Sequence, residues 1–198
     1  MITGVGRKRR PSQPYNLTEL NPRLGPMPAW RIRTNPPPGL ATTADVVRIQ
    51  REEHRFCELS DGILVEKDLA SDESVIAGRL LTMRNTVVIP PRLGLVTGEA
   101  GKIKINPQTV RIPDVAFVSV QRLPSGEMPR EALSLLVPNL LGEVLSRGGP
   151  VEDMQHRLQD DFEAGVDLVR LVEPRQRTVE VLTAPGISTF LKETQFLM

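Results

Sequence analysis

Three acidic side chains interrupt apolar runs that have the character of β-strands. Glu58 lies within the run FCEL, Asp114 directly precedes VAFV, and Glu143 lies within LLGEVL. An unpaired buried carboxylate costs several kcal/mol or becomes neutral, so an acid in such a run needs a partner. Hard cations such as Mg²⁺ bind carboxylate oxygens and suit phosphodiester hydrolysis. The three acids are therefore candidate metal ligands, although spacing alone leaves open that each faces solvent from an edge strand.

The elements that would position these acids form a mixed α/β pattern. Asp61 and Gly62 indicate a tight hairpin between two apolar runs, and Thr42 or Thr43 can cap a helix that extends to Glu53. Apolar residues at helical spacing predict two further helices, and shorter runs predict strands. The predicted ranges are helices 42–53, 71–88 and 151–164, a hairpin at 56–67, and strands 95–97, 102–105, 115–119, 140–145, 166–172 and 178–182. This order favours a mixed sheet flanked by helices.

The first 41 residues differ in composition from the remainder. Residues 1–40 hold seven Lys or Arg side chains against one acid, Glu19, together with eight of the 18 prolines. We therefore divide the chain into a basic, Pro-rich segment at 1–41, expected to be extended or disordered, and a folded domain at 42–198. Basic side chains displace counterions from phosphate and can serve nucleic-acid contact, whereas a merely solvated tail is the simpler alternative.

Composition also excludes several classes of protein. A single cysteine, Cys57, cannot form an internal disulfide and is typical of a reducing, cytoplasmic environment. No run reaches the roughly 18–20 apolar residues that span a membrane, so no membrane association is expected. The two histidines, His54 and His156, have no partners at zinc-binding spacing.

Four strings together resemble a known family. They are CELSDGILVEK from residue 57, RIPDVAFVS from 111, NLLGEVLS from 139 and DMQHRLQDDFEAGVDLVRLVEPRQRTVEV from 153. The chain resembles, from about residue 42 to 190, the large bacterial family of restriction endonucleases within the PD-(D/E)xK superfamily. This resemblance implies a restriction-endonuclease-like α/β fold, in which a mixed β-sheet is flanked by helices.

The resemblance also implies which residues form the site. The acid ahead of a DG hairpin is matched by Glu58, the acid of the PD motif by Asp114, and the acid of the EVLS strand by Glu143. In the superfamily a lysine usually follows that last acid by two residues, where this chain has Leu145. The family usually has the lysine on the next helix, where this chain has Arg157.

Further positions depart from the family pattern, among them Glu173, which stands where the family usually has the aspartate of a DP pair. Asp161 stands where the family usually has tyrosine, and Arg170 where it tends to tryptophan. Arginine keeps its charge throughout the pH range in which proteins are folded, so Arg157 can donate hydrogen bonds and stabilise charge on a phosphate but cannot act as a base.

Two functions follow from the resemblance. The first is a Mg²⁺- or Mn²⁺-dependent DNA endonuclease, with Glu58, Asp114 and Glu143 as catalytic metal ligands and Arg157 as a catalytic side chain. A homodimer is expected with it, because double-strand cutters with two-fold targets are often dimeric. The alternative, motivated by Arg157 and Asp161, is a catalytically degenerate member that binds nucleic acid or a protein partner.

Overall fold

In the part of the chain that it describes, the computed structural model has four α-helices and ten strands. The structure describes residues 13–24, 27–67, 71–127, 129–130, 132–133, 135–145 and 151–192. The helices are α1 (Leu17–Leu24), α2 (Thr43–Glu53), α3 (Ser71–Val88) and α4 (Val151–Ala164). The strands are β1 (Cys57–Ser60), β2 (Ile63–Glu66), β3 (Gly94–Gly98), β4 (Ile103–Asn106), β5 (Thr109–Arg111), β6 (Val115–Ser119), β7 (Leu140–Val144), β8 (Leu168–Glu173), β9 (Thr178–Ala184) and β10 (Ile187–Lys192).

The smaller sheet is antiparallel and has the strand order β2-β1-β5-β4. The predicted hairpin is confirmed as β1 and β2, with Asp61 and Gly62 both at positive φ in the turn. Helix α2 packs on this sheet, and its predicted cap is confirmed: the Thr42 hydroxyl accepts a bond from the Asp45 amide, and the Asp45 carboxylate accepts one from the Thr42 amide. These local signals fix the position of β1, which carries Glu58.

The larger sheet has the order β10-β9-β8-β7-β6-β3 and is antiparallel except between β7 and β8. Helix α4 connects this parallel pair and places Leu158 in the main core, beside Leu141 and Val169 of the sheet. The predicted α/β fold with helices flanking a mixed sheet is confirmed. Its strands form two sheets, of which the larger is the mixed one. Residues 112–114 lead directly from β5 in the smaller sheet to β6 in the larger one.

The segment before residue 42 is partly helical, which differs from the expected extended or disordered segment. Helix α1 buries Leu20 and Leu24 against Ile63 and Val65 of β2. Arg33 forms ion pairs with Glu53 at 2.6 Å and Glu66 at 2.7 Å. Apolar burial and ion pairing therefore attach this segment to the smaller sheet. The basic cluster of residues 7–10 lies outside the described residues.

Helix α3 exposes part of the face that its periodicity predicts to be buried. Leu80 and Arg84 line a cavity against β6, β7, β8 and β9 of the larger sheet. Met83 and Val87 lie at helical spacing with Leu80, which predicts all three on one side of the helix, yet Met83 and Val87 are 58% and 59% exposed. The helix is apolar around much of its circumference, so periodicity does not identify the packed face.

Candidate active site

The three predicted acids come together where the two sheets meet. Glu58 projects from β1 of the smaller sheet, Asp114 ends the connection between the sheets, and Glu143 lies on β7 of the larger sheet. Two cations lie among them, Arg157 from α4 and Lys67 from the residue after β2. Residues far apart in the chain thus form one charged cluster, here called the carboxylate cluster (Glu58, Lys67, Asp114, Glu143 and Arg157).

Glu58 is 7% exposed and is held on both oxygens. Its Oε1 accepts a hydrogen bond from the Ile112 amide at 2.7 Å, and its Oε2 lies 2.8 Å from an Arg157 guanidinium nitrogen. Burial alone would raise the pKa of Glu58, but the positive charges of Arg157, Arg111 and Lys67 and the Ile112 amide lower it below its ordinary value. Glu58 is therefore a carboxylate in the folded protein.

Asp114 is 8% exposed and joins the smaller sheet to the larger. Its Oδ2 accepts a bond from the Val144 amide at 2.7 Å, and its Oδ1 lies 2.7 Å from Lys67 Nζ. The bond to Val144 fixes the aspartate against the strand that carries Glu143. Pro113, which is fully buried, precedes it and restrains the backbone at this junction.

Glu143 lies between the two cations. Its Oε1 lies 3.2 Å from an Arg157 nitrogen and its Oε2 lies 4.0 Å from Lys67 Nζ. Burial, with the negative charges of Asp114 and Glu58, raises the pKa of Glu143 to about 7, although Lys67 and Arg157 oppose the change. Of the two carboxyls that share Arg157, Glu58 ionises first and Glu143 last.

Arg157 connects two of the acids with a single nitrogen. Its NH2 lies 3.2 Å from Oε1 of Glu58 and 3.2 Å from Oε1 of Glu143, so those two oxygens are no more than twice that distance apart. The Arg157 side chain is 22% exposed and is the most accessible member of the carboxylate cluster. The predicted Arg157 thus lies beside the acids.

Asp161, the other departure from the family pattern on α4, has a structural role. Its Oδ1 pairs with Arg111 Nε at 3.2 Å, and Asp160 approaches another nitrogen of Arg111 at 3.4 Å. Arg111 is 2% exposed. Burial raises the pKa of Asp161, and the Arg111 and Arg157 charges counteract this effect. This ion pair anchors α4 to β5, one residue before the segment that carries Asp114.

The acids of the carboxylate cluster have the donor chemistry of a divalent-cation site. Within the described ranges, no group of three or more His, Cys, Asp or Glu side chains is arranged so that it could hold a metal ion as it stands. The donor chemistry nevertheless fits, because Mg²⁺ is typically bound by one or two carboxylates and keeps several waters. The ammonium group beside Asp114 and Glu143 shows that positive charge is stabilised between this pair.

Lys67 is the cluster member that sequence patterns did not identify. Its Nζ donates to the Ile112 carbonyl and to Asp114 Oδ1. Burial would lower the pKa of Lys67, but Glu143, Asp114 and Glu58 raise it above the ordinary value, so it is charged. One signal was present: in the hairpin register Lys67 follows Glu66, which pairs with Cys57, so Lys67 lies near the start of the strand that carries Glu58.

Comparisons with known proteins identify the family of this chain. The model of the Uma2 family, described as putative restriction endonuclease, matches residues 43–197. A search of curated protein sequences found no match. The matched region contains every member of the carboxylate cluster.

A solved structure shares the fold. It is the crystal structure of a putative nuclease belonging to DUF820 from Anabaena variabilis, which matches with a TM-score of 0.61 and 20% sequence identity over 70% of this chain and 77% of that one. The restriction-endonuclease-like fold expected from the motifs is thereby confirmed. In the part of the chain that the structure describes, no helix is long and apolar enough to cross a membrane.

Proposed function

Since the chain belongs to the Uma2 family of putative restriction endonucleases, we propose that it is a Mg²⁺- or Mn²⁺-dependent endonuclease that hydrolyses DNA. The observation that carries this proposal is the convergence of Glu58, Asp114 and Glu143, from three separate elements, around two cations. Such a concentration of buried charge is typical of functional sites.

Asp114 and Glu143 are the proposed principal metal ligands. Both have an oxygen that faces Lys67 rather than a backbone amide. Glu58 is the third proposed ligand, and it becomes available when Arg157 leaves it. The bound cation would activate water and neutralise charge on the phosphate.

Arg157 has the proposed role of binding the scissile phosphate. It is more exposed than the acids it contacts, and its planar guanidinium matches phosphate oxygens as well as carboxylates. When DNA binds, Arg157 exchanges its contacts with Glu58 and Glu143 for contacts with the phosphate. The developing negative charge then strengthens those contacts in the transition state.

The remaining parts of the proposal concern the setting of the enzyme. The basic residues before position 41 would contact DNA backbone, and the exposed Met83 and Val87 of α3 offer an apolar surface for a second copy in a homodimer. The one thiol, Cys57, is buried and unpaired, which suits a cytoplasmic protein. Analytical ultracentrifugation of the wild type and of Met83→Glu tests the dimer.

Plasmid nicking tests the proposed activity. Purified protein is incubated with supercoiled plasmid in Mn²⁺ or Mg²⁺, beside Asp114→Asn and a matched control, Asp167→Asn, whose side chain is 56% exposed and pairs with Arg122. We expect the wild type and Asp167→Asn to nick the plasmid and Asp114→Asn to lose activity. Equal nicking by all three proteins, or none by any of them, would contradict the proposal.

A second function is favoured by one observation, the occupation of Glu58 and Glu143 by Arg157. If arginine permanently neutralises these acids, the chain is a binding module that has lost catalysis. It would then bind DNA without metal and leave it intact, and Arg157→Lys would introduce measurable cleavage. Cleavage by the wild type excludes this alternative.

A further inference from the structure

Lys67 is the most enclosed cation of the carboxylate cluster. Its side chain is 10% exposed, against 22% for Arg157. Burying an ammonium group is costly unless opposite charges and hydrogen bonds compensate for its lost hydration. Here the compensation comes from Asp114, Glu143 and the Ile112 carbonyl, which belong to the connection between the sheets and to β7.

The hydrogen bonds of Lys67 leave one donor over. An ammonium group has three N–H donors. One donates to the Ile112 carbonyl and one to Asp114 Oδ1, and the described residues provide no third acceptor within hydrogen-bond distance. The nearest carboxylate oxygen is Oε2 of Glu143, at 4.0 Å from Nζ. A separation beyond about 3.5 Å between such groups is suited to a bridging water.

We propose that Lys67 is the lysine of this active site, and that its third N–H, opposite Glu143, holds the water that attacks the phosphorus. This inference rests on the proposed endonuclease function and adds a catalytic residue to it. Lys67 follows β2. The family resemblance instead predicts a lysine at the position of Leu145, next to β7, or of Arg157, on α4. Arg157 is then not required to replace a lysine and remains available for the phosphate.

The reaction balances with Lys67 as a charged donor. The water oxygen forms a bond to phosphorus while the bond from phosphorus to one sugar oxygen breaks. The attacking water releases a proton to solvent, and the leaving oxygen takes one from solvent. Lys67 keeps its own proton throughout, and its charge offsets the negative charge that develops on the phosphate.

The first test replaces Lys67 by methionine, which keeps the length and removes the charge. Lys192→Met, on the exposed edge strand β10, is the matched control. Single-turnover cleavage is measured at saturating Mn²⁺ and DNA, and Mn²⁺ affinity is measured by calorimetry. We expect Lys67→Met to cleave about 100-fold more slowly or worse, the loss typical of removing one transition-state donor, with Mn²⁺ bound as tightly as by wild type or more tightly.

A chemical rescue keeps the test informative if Lys67→Met folds poorly. Lys67→Cys is folded and then alkylated with bromoethylamine, which restores an ammonium group at nearly the same reach. Cys57 is 1% exposed and is protected from the reagent in the folded protein. Alkylation with iodoacetamide is the control, because it adds similar bulk without the charge. Recovery of at least a tenth of the wild-type rate with bromoethylamine but not with iodoacetamide supports the catalytic role.

The outcomes separate this inference from the function on which it rests. If the wild type does not cleave, the endonuclease proposal fails and the role of Lys67 fails with it. If the wild type cleaves and Lys67→Met cleaves within threefold of it, only the role of Lys67 is overturned. If Lys67→Met loses both Mn²⁺ binding and cleavage, the proposed role of Lys67 is also overturned, because the lysine then only supports the metal ligands.

Discussion

Glu143 should make the free energy of unfolding depend strongly on pH, because its pKa is raised to about 7 in the folded protein, against 4.5 for an ordinary glutamic acid. A raised folded-state pKa means that the native protein binds the proton more tightly than the unfolded chain does. The stabilisation is therefore complete below pH 4.5 and is lost as pH rises towards about 7. At about 1.4 kcal/mol per pKa unit, the loss is about 3 kcal/mol.

The variant Glu143→Gln removes this dependence. Glutamine resembles the protonated acid, so the two proteins should be equally stable near pH 4.5, and the variant should be more stable at pH 8 by about 3 kcal/mol. Asp161, whose pKa is also raised, changes both proteins equally and cancels in the comparison. Urea unfolding at both pH values, in the presence of a chelator, measures the difference.

A matched variant controls for the amide substitution itself. Glu163 is an exposed glutamate on α4 that accepts a hydrogen bond from Gln159, so Glu163→Gln should follow the wild type at both pH values. If the stability difference between Glu143→Gln and wild type is the same at pH 4.5 and pH 8, the burial and charge assigned to Glu143 are wrong. A destabilised variant at pH 8 would contradict the reasoning more strongly.

Three further substitutions test other parts of the structure, each by urea or thermal unfolding. Arg111→Met should destabilise the protein by about 3–5 kcal/mol, because it leaves Asp161 buried without its partner, and a loss under about 1 kcal/mol would contradict this. Gly62→Ala should cost at least about 2 kcal/mol, because φ is +77° and a Cβ would lie 2.3 Å from a backbone oxygen; an unchanged midpoint would refute it. Arg170→Leu should stabilise by about 1 kcal/mol: Arg170 shares an apolar-lined cavity with Arg84, burial lowers the pKa of both, and neither has an acidic partner among the described residues. A less stable Arg170→Leu would show that the arginine has a favourable partner.

Local signals account for the parts of the fold that the sequence predicts well. The Thr42 cap and the Asp61-Gly62 turn are each decided by a few neighbouring residues, and both are confirmed. Strands β5 and β10 were not predicted. Strand β5 has only three residues, and β10 is exposed along nearly its whole length, so neither has a distinct alternation. Their formation depends on pairing with β1, β4 and β9, which lies outside the reach of local patterns.

The segment before residue 42 is a second case in which local sequence patterns miss an element that tertiary contacts stabilise. Its prolines and charges indicate a segment without regular structure, yet Leu20 and Leu24 are buried against β2. The eight-residue helix α1 is too short to be stable alone, and tertiary burial stabilises it. Composition indicates which structure a segment forms in isolation. Here the helix forms because the folded domain provides β2 for it to pack against.

The candidate site was predictable only in part for a related reason. Glu58, Asp114 and Glu143 were recognisable because acids are unusual in apolar strands and matched a family pattern. Lys67 was not, because a lysine after a strand is most often solvated, and only the fold brings it to 2.7 Å from Asp114. From the sequence, Asp161 motivates the alternative of a catalytically degenerate member; the structure adds that it lies in a buried ion pair with Arg111, a contact that sequence patterns do not predict.

The position of a bound cation tests the central proposal most directly. We predict that crystals grown or soaked with Mn²⁺ give an anomalous difference peak about 2.1 Å from carboxylate oxygens of both Asp114 and Glu143, the distance typical of such small divalent ions. Lys67 would remain within reach of the same carboxylates. A peak elsewhere, or none at this junction at saturating Mn²⁺, would contradict the assignment of these acids as the metal site.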